Sequence, residues 1–146
     1  MNQPETAARM NLFLSRVPET MSKPEQYQIF ESHAEFRPAG HMPLSQAVQL
    51  VTMAITFTRE QSITKLLIDT TGLTGFESPS VAARYFFMKE WAYAAGGLVC
   101  IAMVAQPEMI DPQKFGVTVG ANLGLQSNVF ASEEEALAWL RDPQPH

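Results

Sequence analysis

The chain has 146 residues, of which 46% are hydrophobic and 17% charged, and its formal net charge is −5. Such a composition is typical of one folded domain, and a domain of this length can bury a stable core without disulfides or metals. Its negative charge and the absence of a Lys/Arg cluster argue against nucleic acids and anionic membranes as partners.

The sequence predicts a cytoplasmic protein. The N-terminus lacks the basic and apolar regions of a secretory signal, and no apolar run approaches the roughly 20 residues of a membrane span. The single Cys100 cannot form an intramolecular disulfide, and its apolar surroundings, LVCIAMVA, predict an inert core position in a reducing compartment.

The elements follow in chain order from an irregular N-terminal segment. Residues 1–24 contain several prolines and are predicted to form a loosely attached arm. Residues 25–142 are predicted to form the domain, and residues 143–146 a tail. Within the domain, QYQIFESHAEFRP alternates like a strand or a bent hairpin, and Pro38, Gly40 and Pro43 are expected to end it. A helix follows in PLSQAVQLVTMAITFTREQ, and then a buried strand in KLLID.

The second half of the chain repeats this alternation. SPSVAARYFFMKEWAYAAGG predicts a helix closed by glycines, LVCIAMVA a buried strand, PQKFGVTVGANLGL a helix and SNVFA a strand. In the last helix, SEEEALAWL, Ser132 and Glu135 have the spacing of a capping box. The order predicts an α/β fold with a mainly parallel four- to five-stranded sheet and flanking helices.

Motifs for catalysis, metals and nucleotides are missing from the sequence. It contains no GxSxG, HExxH, GxGxxG or P-loop pattern, so we expect a non-enzymatic protein without a cofactor or metal. Glu31, His33 and Glu35 share one strand face and could hold a metal, but a solvated polar face is the simpler interpretation. Enzymatic activity is a third hypothesis, because such folds accommodate unforeseen chemistry.

Two groups of glycines have regular positions. Gly72 and Gly75 follow the KLLID strand, where a turn with positive φ explains them. Gly116, Gly120 and Gly124 are spaced by four, so on a helix they form one smooth stripe. Close packing against the sheet or a neighbouring helix explains the stripe, and a slot for a flat or apolar ligand is the alternative.

The helix after Pro79 carries large side chains around most of its circumference. Phe87 and Trp91 lie nearly opposite Phe86 and Tyr93, which leaves no broad polar face. This helix is therefore expected to contact something on a second side: another part of the same chain such as the N-terminal arm, a second copy of the chain, a protein partner or a ligand.

The turn between KLLID and this helix is a candidate interaction site. Asp69 ends the strand, and the carboxyl ends of parallel strands are where ligands and partners gather. Ser78 is predicted as the N-cap, followed by Pro79 at the first helical position. A phosphate on Ser78 or Ser80 would meet the positive end of the helix dipole.

The stretch from about residue 27 to residue 140 resembles STAS domains, in particular the SpoIIAA-like branch related to bacterial anti-anti-sigma factors. The segments that carry this resemblance are KLLIDTTGLTGFESPSVAARYF, LVCIAMVA and EEEALAWL. In that family a kinase phosphorylates the first serine of an Asp-Ser-Ser-Gly turn. The resemblance aligns Glu77 with the aspartate, Ser78 with the phosphorylated serine, Pro79 with the second serine and Ser80 with the glycine.

The leading hypothesis is thus a non-enzymatic STAS-like interaction module in bacterial regulation. Its partner would be a protein, such as a kinase or an anti-sigma-like factor, or a second copy of the chain. The alternative is a domain that binds a small apolar or amphipathic ligand, as related Sec14-like domains do. The residues assigned to either surface are Asp69, Glu77, Phe87, Trp91, Gly116 and Gly120.

Overall fold

The computed structural model describes residues 22–143. The predicted arm (1–24) and tail (143–146) therefore lie almost entirely outside the described residues. The strands are β1 (Tyr27–Ile29), β2 (Ala34–Phe36), β3 (Ala39–His41), β4 (Lys65–Asp69), β5 (Gly72–Thr74), β6 (Cys100–Val104) and β7 (Ser127–Phe130). The α-helices are α1 (Leu44–Glu60), α2 (Val81–Ala95), α3 (Phe115–Asn122) and α4 (Glu133–Arg141), and Pro107–Met109 forms a 3₁₀ turn.

The main sheet has five strands in the order β1-β2-β4-β6-β7. Strand β1 pairs antiparallel with β2, so residues 27–36 form a hairpin, and every other pair in this sheet is parallel. The predicted α/β architecture with a mainly parallel sheet is confirmed. Strands β2, β4, β6 and β7 consequently end at the same edge of the sheet.

A second, two-stranded sheet joins β3 to β5 in parallel, and the sequence analysis missed it. Each strand has only three residues and contains a glycine, so the period-two pattern is too short to detect. Gly75, just after β5, has φ of +108°, and a Cβ there would lie 2.5 Å from the carbonyl oxygen of Met42. The positive-φ explanation is thus correct for Gly75 and wrong for Gly72, whose φ is not positive.

Helices cover both faces of the main sheet. Helices α1 and α2 pack with the Leu66/Ile68 face of β4 in the larger core, together with Tyr27, Phe36 and Ile101. On the opposite face, Leu67 of β4 packs with Ala136 and Leu140 of α4. No helix between residues 22 and 143 is both long and apolar enough to cross a membrane.

Helix α2 packs between α1 and α3. The second contact predicted for this helix is therefore supplied within the fold, by α3. A part of its surface remains uncovered in the described residues, since Tyr85, Phe86 and Tyr93 are exposed. Gly96 ends the helix in the left-handed conformation, as the terminal glycines predicted.

The start of α2 differs from the prediction. Ser80, and not Ser78, is the N-cap, because the helix begins at Val81 and the Ser80 hydroxyl accepts a hydrogen bond of 3.1 Å from Ala83 N. Just before the helix, the carbonyl of Pro79 accepts a hydrogen bond from Arg84 Nε. In α4, the predicted cap is confirmed: Ser132 accepts from Glu135 N.

Candidate functional site

A cavity of about 290 Å³ lies between helices α1, α2 and α3 and the carboxyl end of the sheet. Thr70 follows β4 and Ala105 follows β6, and both line the cavity together with Val129 of β7. The exposed residues Thr74 and Gln106 also line it, so the cavity reaches the protein surface. Its position agrees with the rule that open α/β sheets bind ligands at the carboxyl ends of their strands.

Most of the lining is apolar. Helix α1 contributes Val48 and Val51, α2 contributes Met88, and the segment after β6 contributes Met109 and Ile110. The side chains with polar groups are fewer and belong to Thr70, Thr74, Arg84, Gln106, Asp111 and Lys114. An apolar body with a few polar groups is the usual composition of a small-molecule site.

Phe87 and Trp91, which the sequence analysis selected, both line this cavity. Their rings lie 4.6 Å apart between centroids, because residues four apart on a helix face the same side. Trp91 is 6% exposed, and its Nε1 donates a hydrogen bond of 3.3 Å to the carbonyl of Val48. This hydrogen bond fixes the indole against α1, so the aromatic wall of the cavity is held in place.

The three glycines of the predicted stripe have different roles. Gly116 lines the cavity, and a Cβ there would lie 3.2 Å from Met88 Cγ. Gly120 does not line it but packs on Met88, whose Cε would be 2.9 Å from an added Cβ. Helix α3 ends at Asn122, so Gly124 lies beyond it, with φ of +89°. Close helix packing explains Gly120, and a position in the cavity wall explains Gly116.

Arg84 is the main polar residue at the α2 side of the cavity. Its Nη2 donates to the Ser78 hydroxyl at 2.9 Å and to the carbonyl of Met109 at 3.2 Å. Its Nε donates to the carbonyl of Pro79 at 3.1 Å. The guanidinium therefore connects the turn before α2 with the segment after β6.

Asp111 and Lys114 line the cavity from the segment between β6 and α3. Lys114 precedes α3 in the left-handed conformation, and its Nζ donates to Asn128 Oδ1 at 2.8 Å. Asp111 accepts backbone hydrogen bonds from Phe115 at 2.7 Å and from Gln113 at 3.3 Å. These bonds, with a contribution from the charge of Arg84, lower the pKa of Asp111, so its carboxylate is ionised at neutral pH.

The predicted switch residues lie in the turn beside the cavity. Glu77, Ser78 and Ser80 are exposed and do not line the cavity, whereas Pro79 between them does. Ser78 is linked to the cavity only through its hydrogen bond with Arg84. Its hydroxyl is accessible from solvent, and that of Ser80 is engaged in capping.

Asp69 lies on the other face of the sheet and not in the cavity. Burial raises the pKa of Asp69, and a hydrogen bond with Glu133 raises it further. Arg37 donates to both carboxylate oxygens of Glu133, at 2.8 and 2.7 Å, and lowers the pKa of Glu133 to about 2. The pKa values of these two carboxyl groups are therefore shifted in opposite directions.

Polar side chains of the β1–β2 hairpin join the cluster formed by Asp69, Glu133 and Arg37. His33 Nε2 lies 2.7 Å from Glu35 Oε2, and Arg37 bonds the other oxygen of Glu35. Glu31 is exposed and separate from them. Within residues 22–143, no group of three His, Cys, Asp or Glu residues is arranged to hold a metal ion.

Cys100 is half-buried at the start of β6, at the edge of the sheet opposite to the cavity. Burial raises the pKa of its thiol to about 11. Since the thiolate is the reactive form, this shift is consistent with the prediction of an unreactive cysteine.

Comparisons with family models, curated proteins and solved structures found no significant match. The STAS resemblance therefore stays a prediction, and only the α/β architecture of the expected fold is observed.

The sequence analysis did not select Arg84, Asp111 or Lys114. Lys114 was placed within the helix predicted for PQKFGVTVGANLGL, and the segment AQPEMID between β6 and that helix matches no motif. A signal was available, because this segment follows a buried parallel strand and therefore lies at the ligand-binding edge of the sheet. Lys114 has a positive φ just before α3, and no local pattern predicts that conformation.

Proposed function

We propose that the protein binds a small apolar or amphipathic molecule in the cavity beneath α2 and that it acts by binding, not by catalysis. The observation that carries this proposal is the cavity itself, which is lined largely by apolar side chains at the carboxyl edge of a parallel sheet. Its volume, about 290 Å³, is at the lower end of the roughly 300–1,000 Å³ of small-molecule sites.

The energetic argument concerns the walls of the cavity. Core packing normally leaves few voids larger than a water molecule, yet here Val51, Met88 and Trp91 border open space. Each apolar Å² that a ligand removes from water contributes about 25 cal/mol. The hydrogen bond from Trp91 to Val48 fixes α2 against α1 before binding, so little conformational entropy is lost when the site fills.

Native mass spectrometry of the full chain, freshly purified, tests the proposal. We expect a bound small molecule that is released on denaturation. Val48→Phe should abolish its retention, because Val48 lines the cavity. Met53→Phe is the matched control, since Met53 lies on the same helix, is exposed and does not line the cavity.

Addition of octanol extends the test to protein that loses its ligand during purification. Octanol should bind to the wild type and to Met53→Phe with similar affinity, and much more weakly to Val48→Phe. A wild-type mass equal to that of the bare chain, with octanol affinity the same in all three proteins, would contradict the proposal.

A second candidate function is the STAS-like interaction module, and the exposed surface beside Ser78 favours it. Val81, Tyr85 and Phe86 follow Ser78 at the start of α2 and are all exposed, with Phe86 at 66%. The Tyr85 and Phe86 rings contact each other in a T-shaped arrangement. Exposed aromatic groups of this kind are enriched in protein interfaces, and a phosphate on the exposed Ser78 would change the charge of this surface.

Affinity purification with Phe86→Ala and Ser78→Asp tests this second candidate. A protein retained by the wild type should be lost with either variant and kept by Leu98→Ala. Leu98 is also exposed but precedes β6, at the opposite edge of the sheet. Identical retention by all four proteins would rule out a partner at this surface.

A further inference from the structure

The side of α2 that points away from the sheet is exposed and carries Phe86, Lys89, Glu90 and Tyr93. These four residues form what we call the outer face of α2. The Phe86 side chain is 66% exposed and the Tyr93 side chain 88%, although both are large aromatic groups. None of the four residues lines the cavity. Exposed aromatic side chains that share one face of a helix indicate a contact surface.

The outer face has a regular arrangement of rings and charges. Phe86 and Tyr93 are separated by about two helical turns, so their side chains lie on one line along the helix. This spacing is the one at which apolar positions recur in paired parallel helices. Lys89 and Glu90 lie between the two rings and fall about 50° to either side of their line. An aromatic line is thus flanked by a cation on one side and an anion on the other.

Both charges are available to an external partner. Thr52 of α1 donates a hydrogen bond of 3.1 Å to Glu90 Oε2, which holds the carboxylate on the α1 side of the outer face. The other oxygen, Oε1, accepts no hydrogen bond from the residues that the structure describes. Lys89 lies on the opposite flank and forms no ion pair within the same part of the chain.

This distribution of charge matches a second copy of the same helix in one orientation. In a parallel pair related by a two-fold axis along the helices, each flank of α2 faces the opposite flank of its partner. Lys89 then meets the partner's Glu90, and Glu90 meets the partner's Lys89. In an antiparallel pair the equivalent flanks meet, which brings two lysines together on one side and two glutamates on the other. Like charges in such positions repel.

We propose that the protein forms a symmetric homodimer in which the outer faces of two α2 helices pack in parallel. The aromatic lines bury each other along the two-fold axis, and two Lys89–Glu90 pairs flank them. Helix α2 packs between α1 and α3, so the contact extends onto a neighbouring helix on each side. Stable contacts bury roughly 800 Å² per partner. The dimer is independent of the proposed ligand-binding function, because the outer face does not line the cavity.

Sedimentation equilibrium of the full chain over a concentration series tests the proposal. The wild type should sediment as a dimer. Lys89→Glu and Glu90→Lys should each weaken the dimer about ten- to a hundredfold, because both attractive pairs become repulsive. Glu31→Lys is the matched control, since it makes the same change of charge at an exposed residue between β1 and β2. It should leave the dimer unchanged.

A mixture of the two weakened variants tests which residues meet. The Lys89→Glu chain carries two anions on its outer face and the Glu90→Lys chain two cations, so both pairs are restored between unlike chains. Heterodimers should therefore form at concentrations at which each variant alone is a monomer. The double variant Lys89→Glu/Glu90→Lys exchanges the two charges and should dimerise like the wild type. Monomers in the mixture would contradict the assigned contact.

Two further results would overturn the proposal. A wild type that is monomeric at every concentration would leave the outer face to residues 1–21 of the same chain or to a different protein. A wild-type dimer that persists undiminished in both single variants would have its contact elsewhere or in the antiparallel orientation. Circular dichroism should be the same for all these proteins, because the substituted residues are exposed. Octanol affinity of the single variants, unchanged from the wild type, keeps the test separate from that of the cavity.

Discussion

The Nη2 group of Arg84 donates a hydrogen bond of 2.9 Å to the hydroxyl of Ser78. This bond connects the exposed serine of the turn to a cation that lines the cavity. The sequence analysis assigned the turn and a ligand slot to two competing functions. Arg84 contacts the turn and also lines the cavity. A change of charge at Ser78 should therefore change the affinity for a ligand bound beside Arg84.

Ser78→Asp should accordingly weaken the binding of octanoate, used as an anionic counterpart of octanol, severalfold and leave octanol binding unchanged. The added carboxylate competes with the ligand for the guanidinium of Arg84, whereas octanol carries no charge for which to compete. Titration calorimetry at low salt measures both affinities. Ser80→Asp is the control, because aspartate preserves the N-cap and the Ser80 side chain makes no hydrogen bond with the Arg84 guanidinium. Equal weakening by both variants would indicate a general charge effect.

The second prediction concerns the hydroxyl pair Tyr27 and Thr58, which lie 2.6 Å apart in the core. Thr58 Oγ1 gives its proton to the carbonyl of Ala54, so Tyr27 must be the donor in this pair. Thr58→Val leaves the phenol without its acceptor and should cost about 1–3 kcal/mol of unfolding free energy.

Tyr27→Phe removes the donor instead and should cost only about 1 kcal/mol, because Thr58 keeps its bond to Ala54. Urea denaturation followed by circular dichroism gives both values. A larger loss for Tyr27→Phe than for Thr58→Val would show that the hydroxyl pair has been assigned in the wrong direction.

The third prediction compares two glycines with positive φ. Gly97→Ala, where nothing lies within 4 Å of the added Cβ, should cost only the backbone strain of about 1–2 kcal/mol. Gly75→Ala adds a clash with the backbone of Met42 and should cost clearly more. Thermal denaturation of the two variants measures the difference. Equal losses would mean that β3 and β5 separate to admit the methyl group at no cost.

The fourth prediction concerns pH. Arg37 lowers the pKa of Glu133 from its ordinary 4.5 to about 2. The stabilisation that Glu133 provides is therefore complete above about pH 4.5 and is lost as the pH falls towards 2. The contribution of Asp69 to stability has the opposite pH dependence. Burial raises its pKa, so its ionisation at higher pH lowers the free energy of unfolding.

Glu133→Gln should thus lower the melting temperature at pH 7, and the deficit should shrink as the pH approaches 2. Thermal melting of the variant and the wild type at pH 7, 5 and 3 measures this deficit. Glu134→Gln, which removes the same charge from the same exposed turn without contacting Arg37, should show no such trend. A constant deficit over this range would contradict the assigned ion pair.

The sequence determined the succession of elements, because that information is local. Periodic apolar residues identified the buried strands KLLID and LVCIAMVA, and Ser132 and Gly96 marked helix ends through hydrogen bonding and backbone freedom within one turn. The alternation of strands and helices then required a mainly parallel sheet. Even the choice of Phe87 and Trp91 followed from their spacing on one helix.

Only the tertiary structure decided which residues form the cavity. Arg84 and Met109 lie 25 residues apart in the chain, and a hydrogen bond of 3.2 Å joins them because β4 and β6 end at the same edge. Asp69 was assigned to the interaction site because it ends a strand. Side chains alternate between the two faces of a strand, however, and the register places Asp69 against Glu133 on the face away from the cavity.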